Sequence, residues 1–298
     1  MSSTTKSWVV GVDLRPECDG AVAFACSVVK ATDGKTKLLP VHVLENDHLQ
    51  AVLQHHHLAE VTSAAKQAMV DSLTRHGTPE LAKEGKILEG GTAEGRIELT
   101  RQEFGGDVVV VNRFATASRR RLRRLGRVAR RVLRRLNSPV ITVPPGFTPD
   151  VMGKGPVVAT TNLTQECDAA VEFAGDVAKR LGRELVILHV RRVPDEHAAH
   201  YLPDDSKVRL RETRQAETEK ELDDWVEAKG HTATKHVALL GEVVGNVTEY
   251  AAENDACLIV AGSRRLSKIE RFLLTSVGRG LSATAHCPVA VVPPAPVE

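Results

Sequence analysis

The chain has 298 residues, of which 42% are hydrophobic, 26% charged and 3% aromatic, with a formal net charge of +2. That is length for about two domains of ordinary size, and with so few aromatics the packing falls to Val, Leu, Ile and Ala, as in a parallel sheet covered on both faces. No apolar run approaches the roughly 18 to 20 residues of a membrane span and the first residues lack a signal-peptide pattern, so a cytoplasmic location is expected.

Taken in order, Trp8 to Asp13 is an apolar run ending in an acid, followed by a helical pattern from Glu17 to Lys30 and a second strand from Lys37 to Leu44. Asp47 to His76 reads as largely helical, with Leu49, Val52, Leu53, Leu58, Val61, Ala65, Met69 and Leu73 along it. Then come a strand near Lys86 to Leu88, a Gly90-Gly91 turn, a helix from about Ala93 to Phe104, the strand Asp107 to Val111, an arginine-rich helix, and the strand Pro139 to Val143. Strands alternating with helices predict a doubly wound parallel sheet.

The series then begins again. Gly11 to Val22 is echoed by Thr160 to Val171, His42-Val43 by His189-Val190, Gly91 and Ile97 by Gly241 and Val247, Asp107 and its valines by Asp255 to Val260, and Pro139 to Pro145 by Pro288 to Pro294. A period near 150 residues is a domain duplication. Domains are expected over 1–146 and 156–298, with a proline- and glycine-rich linker over 147–155. In the second half, Asp204 to Lys229 is a long charged helix, with Val208, Leu222, Trp225 and Val226 as its expected packing face.

Asp255 to Pro294 reads as strand, glycine turn, helix and strand: Cys257 to Ala261 is apolar, Gly262-Ser263 turns, helical spacing runs from about Lys268 to Ala285, and Pro288 precedes Val289 to Val292. This pattern resembles the C-terminal half of a universal stress protein domain, and with the repeat the resemblance covers nearly the whole chain. It implies an α/β fold of two tandem doubly wound, Rossmann-like, five-stranded parallel sheets, paired as an intramolecular pseudo-dimer through their last strands; a homodimer is the other expected state. It also implies a stress-linked regulatory or protective role, with ATP, ADP or AMP as the ligand.

The family's site uses an acid after the first strand, apolar contacts after the second, and a loop of Gly, two residues, Gly, nine residues, Gly-Ser or Gly-Thr around the phosphates. The first half keeps Asp13 and Val43, but its loop reads Asn112-Arg113-Phe114-Ala115 with Gly126-Arg127 further on. The second half keeps Val190, Gly262, Ser263 and Ser276, while Asn162 stands for the acid, Arg265 for the second glycine and Thr275 for the third. Where such a loop needs positive φ, a residue other than glycine costs about 1 kcal/mol, and its Cβ obstructs the phosphate. The nucleotide site is therefore expected to be degenerate and better kept in the second half, with Arg264 or Arg265 replacing backbone contacts; the alternative is that both loops have lost binding.

Ser118 to Leu136 carries ten arginines and no acid. The first 150 residues hold 22 basic and 16 acidic side chains against 18 and 22 in the rest, so the positive charge is concentrated in this helix. Like charges at i, i+4 repel, so Arg119, Arg120, Arg123, Arg124, Arg127, Arg130, Arg131, Arg134 and Arg135 are candidates for docking an acidic protein or polyanion. No aromatics are interleaved, which argues against sequence-specific nucleic acid. A scaffold that docks a partner here without nucleotide is the alternative function.

No metal is expected. The five cysteines, Cys18, Cys26, Cys167, Cys257 and Cys287, are widely spaced without a Cys-x-x-Cys pair and read as reduced, mostly buried thiols. His55, His56 and His57 point about 100° apart on a helix and read as a solvated turn. His42 and His189 read as structural residues. No nucleophile and base converge on the loop, so the chain is expected to be no enzyme, or at most a slow ATPase.

Overall fold

The computed structural model describes residues 6–15, 18–46, 49–50, 54, 56–114, 125–135, 137–192, 201, 203–263 and 277–295. The chain divides into two units, Met1–Met152 and Gly153–Glu298.

The first unit runs β1 (Lys6–Gly11), α1 (Gly20–Ala31), β2 (Thr36–Leu44), α2 (Leu58–Arg75), β3 (Lys86–Glu89), α3 (Ala93–Phe104), β4 (Val108–Asn112), α4 (Arg127–Arg135) and β5 (Val140–Val143). Its strands are parallel, in the order β3-β2-β1-β4-β5. β1 is central, pairing Val9 with both Leu39 and Val109, so Trp8, Val9 and Val10 are buried in succession instead of alternating. α1 is buried almost all round by Ala, Val and Phe24, against which Phe147 packs edge-on at 5.7 Å. Residue 147 thus belongs to the core of this unit.

The second unit repeats the plan: β6 (Val157–Thr161), α5 (Asp168–Leu181), β7 (Leu185–Arg191), α6 (Asp204–Lys229), β8 (Lys235–Leu240), α7 (Val243–Glu253), β9 (Leu258–Gly262), α8 (Val277–Thr284) and β10 (Val289–Val292). Its parallel strands lie in the order β10-β9-β6-β7-β8. The register refines the echoes. Val108 pairs with Trp8 as Leu258 pairs with Val157, which makes Cys257, not Asp255, the counterpart of Asp107.

Several expected boundaries move. α2 starts at Leu58, because His57 and Glu60 close its first turn, with the His57 N–H donating to the Glu60 carboxylate at 3.3 Å. Leu49 is therefore not part of it; Val52, Leu53 and His55 lie outside the described residues. His56 and His57 are exposed. The arginine helix does not run unbroken from Ser118. Leu125 and Gly126 are not helical, and the Gly126 N–H donates to the Arg113 carbonyl at 2.8 Å, so α4 begins at Arg127. On α6 the buried residues are Thr218, Leu222 and Val226, whereas Val208 is 54% exposed and Trp225 half-buried. A helix of 26 residues is about 39 Å long, more than strands of six or seven residues can cover. The part of the last helix expected before Val277 lies outside the described residues.

Candidate functional site

In both units the strand order reverses beside the central strand, which opens a crevice beyond the C-terminal ends of β1 and β4, and of β6 and β9. Asp13 and Asn162 lie just past β1 and β6. The residue after each is a leucine with a left-handed backbone, Leu14 at φ 65° and Leu163 at φ 63°. That conformation costs a leucine about 1 kcal/mol. It turns the chain sharply out of the strand, and nothing in the residue type signals it. Beside it, His42 donates from Nδ1 to the Val12 carbonyl at 2.8 Å, and His189 from Nδ1 to the Thr161 carbonyl at 2.9 Å. Both histidines tie the second strand's end to the first, which is the structural role expected of them.

In the first unit the crevice is filled by the chain itself. The Asn112 side-chain amide accepts the Ala21 N–H at 2.7 Å and donates to the Cys18 carbonyl, bridging β4 to the start of α1. The Asp13 carboxylate is held by Arg15 through Nε at 2.6 Å and Nη2 at 2.8 Å. Glu45, buried just past β2, accepts the Ala93 N–H at 3.0 Å and pairs with Arg127 at the first residue of α4. Val43 is half-buried. Sequence reading passed over Glu45 and Arg15, since neither falls in a motif.

In the second unit the position of Asn112 is Gly262. A Cβ there would lie 3.4 Å from Cys167 Cα and Sγ and from the Glu166 carbonyl oxygen, so the loop before α5 packs close against the glycine and no side chain stands between them. Neither Gly262, Asn112 nor Gly126 has a positive φ. The glycine therefore serves close approach of the loop before α5 and not backbone freedom, which corrects the expected reason for it. Asn162 is turned into its own loop, where its Oδ1 accepts from the Thr164 hydroxyl at 2.7 Å, the Thr164 N–H at 3.3 Å and the Cys167 thiol at 3.0 Å. Burial pushes that thiol up from its ordinary pKa. Val190 is buried, and the Ser263 N–H donates to the Val292 carbonyl at 2.9 Å. Asn162, Gly262 and Ser263 thus stand together at the crevice; Arg265, Thr275 and Ser276 lie outside the described residues.

The arginines of α4 divide by face. Arg127 pairs with Glu45, and Arg131 lies 3.5 Å from Glu94 on α3, so these two are spent within the unit. Arg130, Arg134 and Arg135 are exposed. Arg119, Arg120, Arg123 and Arg124 lie outside the described residues. Among the described residues no group of three or more His, Cys, Asp or Glu is placed to hold a metal ion, and no helix is long and apolar enough to cross a membrane.

The universal stress protein family matches residues 5–144 and 155–293. The chain belongs to that family. Among solved structures, a universal stress protein from Archaeoglobus fulgidus DSM 4304 matches with 19% identity and a TM-score of 0.69, over 97% of this chain and 98% of that one. A protein from Pseudomonas aeruginosa UCBPP-PA14, described as a universal stress protein, matches with 16% identity and a TM-score of 0.65, over 98% and 94%. A universal stress protein solved in complex with cAMP covers 48% of this chain and 99% of its own, with 24% identity and a TM-score of 0.34. A search of the curated proteins finds no match. At these identities the structural likeness speaks for the fold.

The two universal stress protein domains differ at the mouth of the crevice. The Gly90 N–H donates to the Leu44 carbonyl, and the Gly241 N–H to the Arg191 carbonyl, both at 2.9 Å. This sets Glu45 opposite Arg192 in the repeat. By the same register Asp13 and Arg15 correspond to Asn162 and Thr164, and by the loop pattern Gly126-Arg127 falls on Thr275-Ser276. Two ion pairs in the first domain are replaced by one cation in the second.

Proposed function

We propose that this chain is a cytoplasmic stress-response protein of the regulatory or protective kind, which binds an adenine nucleotide in its second domain as a signal and not for turnover. The observation that carries the reading is that Gly262, at the end of β9, stands where the first domain places the bridging amide of Asn112, so no side chain crosses the crevice from that position. In this fold a helix N-terminus beyond β9, through its N–H groups and dipole, favours phosphate. ATP, ADP and AMP share the required chemistry. Among the described residues no nucleophile and base converge at the crevice, so at most slow hydrolysis is expected of the bound ATP.

The test is to purify the chain gently, denature it, and analyse the supernatant for nucleotide by chromatography and mass. Nucleotide should be released near one equivalent, and ATP should raise the melting temperature. Gly262→Asn, which transplants the residue of the first domain, should abolish both. A clean supernatant together with no melting shift at millimolar ATP would overturn the reading.

A second reading rests on Arg130, which is exposed and has no ion pair among the described residues. In it, α4 docks an acidic protein or polyanion through Arg130 and its neighbour one turn on, Arg134, without nucleotide. Salt-sensitive binding to an immobilised polyanion, lost on replacing Arg130 and Arg134 by Gln, is expected of it.

A further inference from the structure

We infer that α6 is a docking surface for a second copy of this chain: two α6 helices pair antiparallel along their outer faces, the basic half of each against the acidic half of the other. This pairing does not depend on nucleotide.

α6 is longer than its own domain uses. Its counterpart α2 has 18 residues against 26, and both helices end against the aspartate that starts the domain's first helix, Arg75 on Asp19 and Lys229 on Asp168. The extra length therefore lies at the N-terminal end. Nothing on α6 before Thr218 is buried. Val208 and Leu210 are 54% and 42% exposed, and Tyr201, just ahead of the helix, is 90% exposed. So short a stretch does not hold a helix by itself. Among the described residues one ion pair, Lys207 with Asp204, supports it from within.

The helix carries its own complement. From Lys207 to Arg214 four basic side chains stand against one acid, and from Glu217 to Glu227 six acids stand against one lysine. Glu217 and Glu221 are drawn to Arg191, at 3.8 and 3.3 Å. On the side away from the buried Thr218, Leu222 and Val226, alternating steps of four and three residues align Arg209, Thr213, Ala216, Lys220, Asp223 and Glu227, all exposed. The middle of this stripe is small, so a second helix can come close. With a two-fold axis at Ala216, Arg209 of one copy comes opposite Asp223 of the other and Lys220 opposite Glu212, and each contact occurs twice. Arg209, Glu212 and Lys220 have no ion pair among the described residues, while Asp223 gives one oxygen to His236 at 2.9 Å and stays 66% exposed. A polyanion would be repelled by one half of the stripe and a polycation by the other. A helix with the same split, run in reverse, satisfies both, and α6 of a second copy is such a helix.

The experiment is sedimentation equilibrium of the full-length chain at about 0.1 M and about 1 M salt, between which the screening length falls from about 10 Å to about 3 Å. A monomer–dimer equilibrium should appear at the lower salt and weaken about tenfold or more at the higher. Arg209→Glu and Asp223→Arg each set like charges face to face and should each leave a monomer, and the two together should restore the dimer. All are surface changes, so the dilute variants should melt as dilute wild type does. A monomer at both salts overturns the inference. So does a dimer that either single variant leaves intact, since another surface would then hold it, and so does a double variant that stays monomeric.

Discussion

Burial holds His42 below its ordinary pKa, against the opposing pull of its hydrogen bond to Val12 and of the nearby Asp13 charge. Burial does the same to His76, against Asp19. Both rings are therefore neutral in the folded chain over pH values at which they would be protonated in the unfolded one. Their contribution to stability is complete above the unfolded value of 6.5 and is lost as pH falls below it toward their folded values. Glu98 acts in a lower window. Burial alone would raise its pKa, but hydrogen bonds and charge from Arg101, with help from Asn137 and Gln102, bring it below 4.5, so its contribution fades only under more acid conditions. The melting temperature should fall between pH 7 and pH 5, and the double variant His42→Gln, His76→Gln should show a flatter profile across that interval. An unchanged slope in the double variant would show that other groups carry the effect. His42 and His189 were recognisable as structural because the repeat marks them. The role of Asn112 was not, since a residue name does not say that its amide turns across a crevice to bridge the Cys18 carbonyl and the Ala21 N–H.

At the scale of elements, the repeat contains a clamp that no motif announces. Asp19, at the start of α1, is 7% exposed and takes hydrogen bonds from Ser72 at 3.0 Å and from Arg75 at 3.0 and 2.5 Å, with His76 3.5 Å away. The same aspartate of the second domain, Asp168 at the start of α5, meets Lys229, the last residue of α6, at 2.6 Å and His231, just past it, at 3.7 Å. In each domain the first helix is thus tied to the end of the second. The ties should differ in strength. The Asp19 side chain is 9% exposed and the Asp168 side chain 23%, and Asp19 alone also accepts from a fully buried hydroxyl, that of Ser72, which its removal leaves unpaired. Asp19→Ala should cost about 3 kcal/mol and Asp168→Ala about 1 kcal/mol in urea unfolding, by the usual values for buried and partly exposed charge pairs. Equal losses would place the tie in packing and not in charge. Strands were legible because a central parallel strand writes itself as an unbroken apolar run, as at Trp8 to Val10. Helix starts were less so: at Leu58 the boundary is a reciprocal cap made by His57 and Glu60, and at Arg127 it follows a glycine inside a run of otherwise good helix formers.

At the scale of the molecule, duplication was legible because the echoes fall in one order at one period, while the difference between the two crevices was not, because it depends on which side chains reach them. The stretch between the halves makes the same point. Its glycines suggest flexibility, yet a Cβ on Gly155 would stand 1.9 Å from the Asn254 carbonyl oxygen, and one on Gly153 2.2 Å from that of Asp255. The Gly155 N–H donates to the Asp255 carbonyl at 2.8 Å, and the Lys154 N–H to the Asp255 carboxylate at 2.7 Å. These glycines let one backbone lie directly on another within the second domain. No side chain can yield to relieve a clash between backbones, so Gly155→Ala should cost about 3 kcal/mol, the upper end for overpacking. Each domain has one tryptophan, Trp8 in the first and Trp225 in the second, so Trp8→Phe and Trp225→Phe give chains in which fluorescence reports one domain at a time. In those backgrounds Gly155→Ala should lower the urea midpoint reported by Trp225 and leave that reported by Trp8 nearly unchanged. Equal shifts at both reporters would mean that the two cores unfold as one unit, and the strap could not then be assigned to the second domain alone.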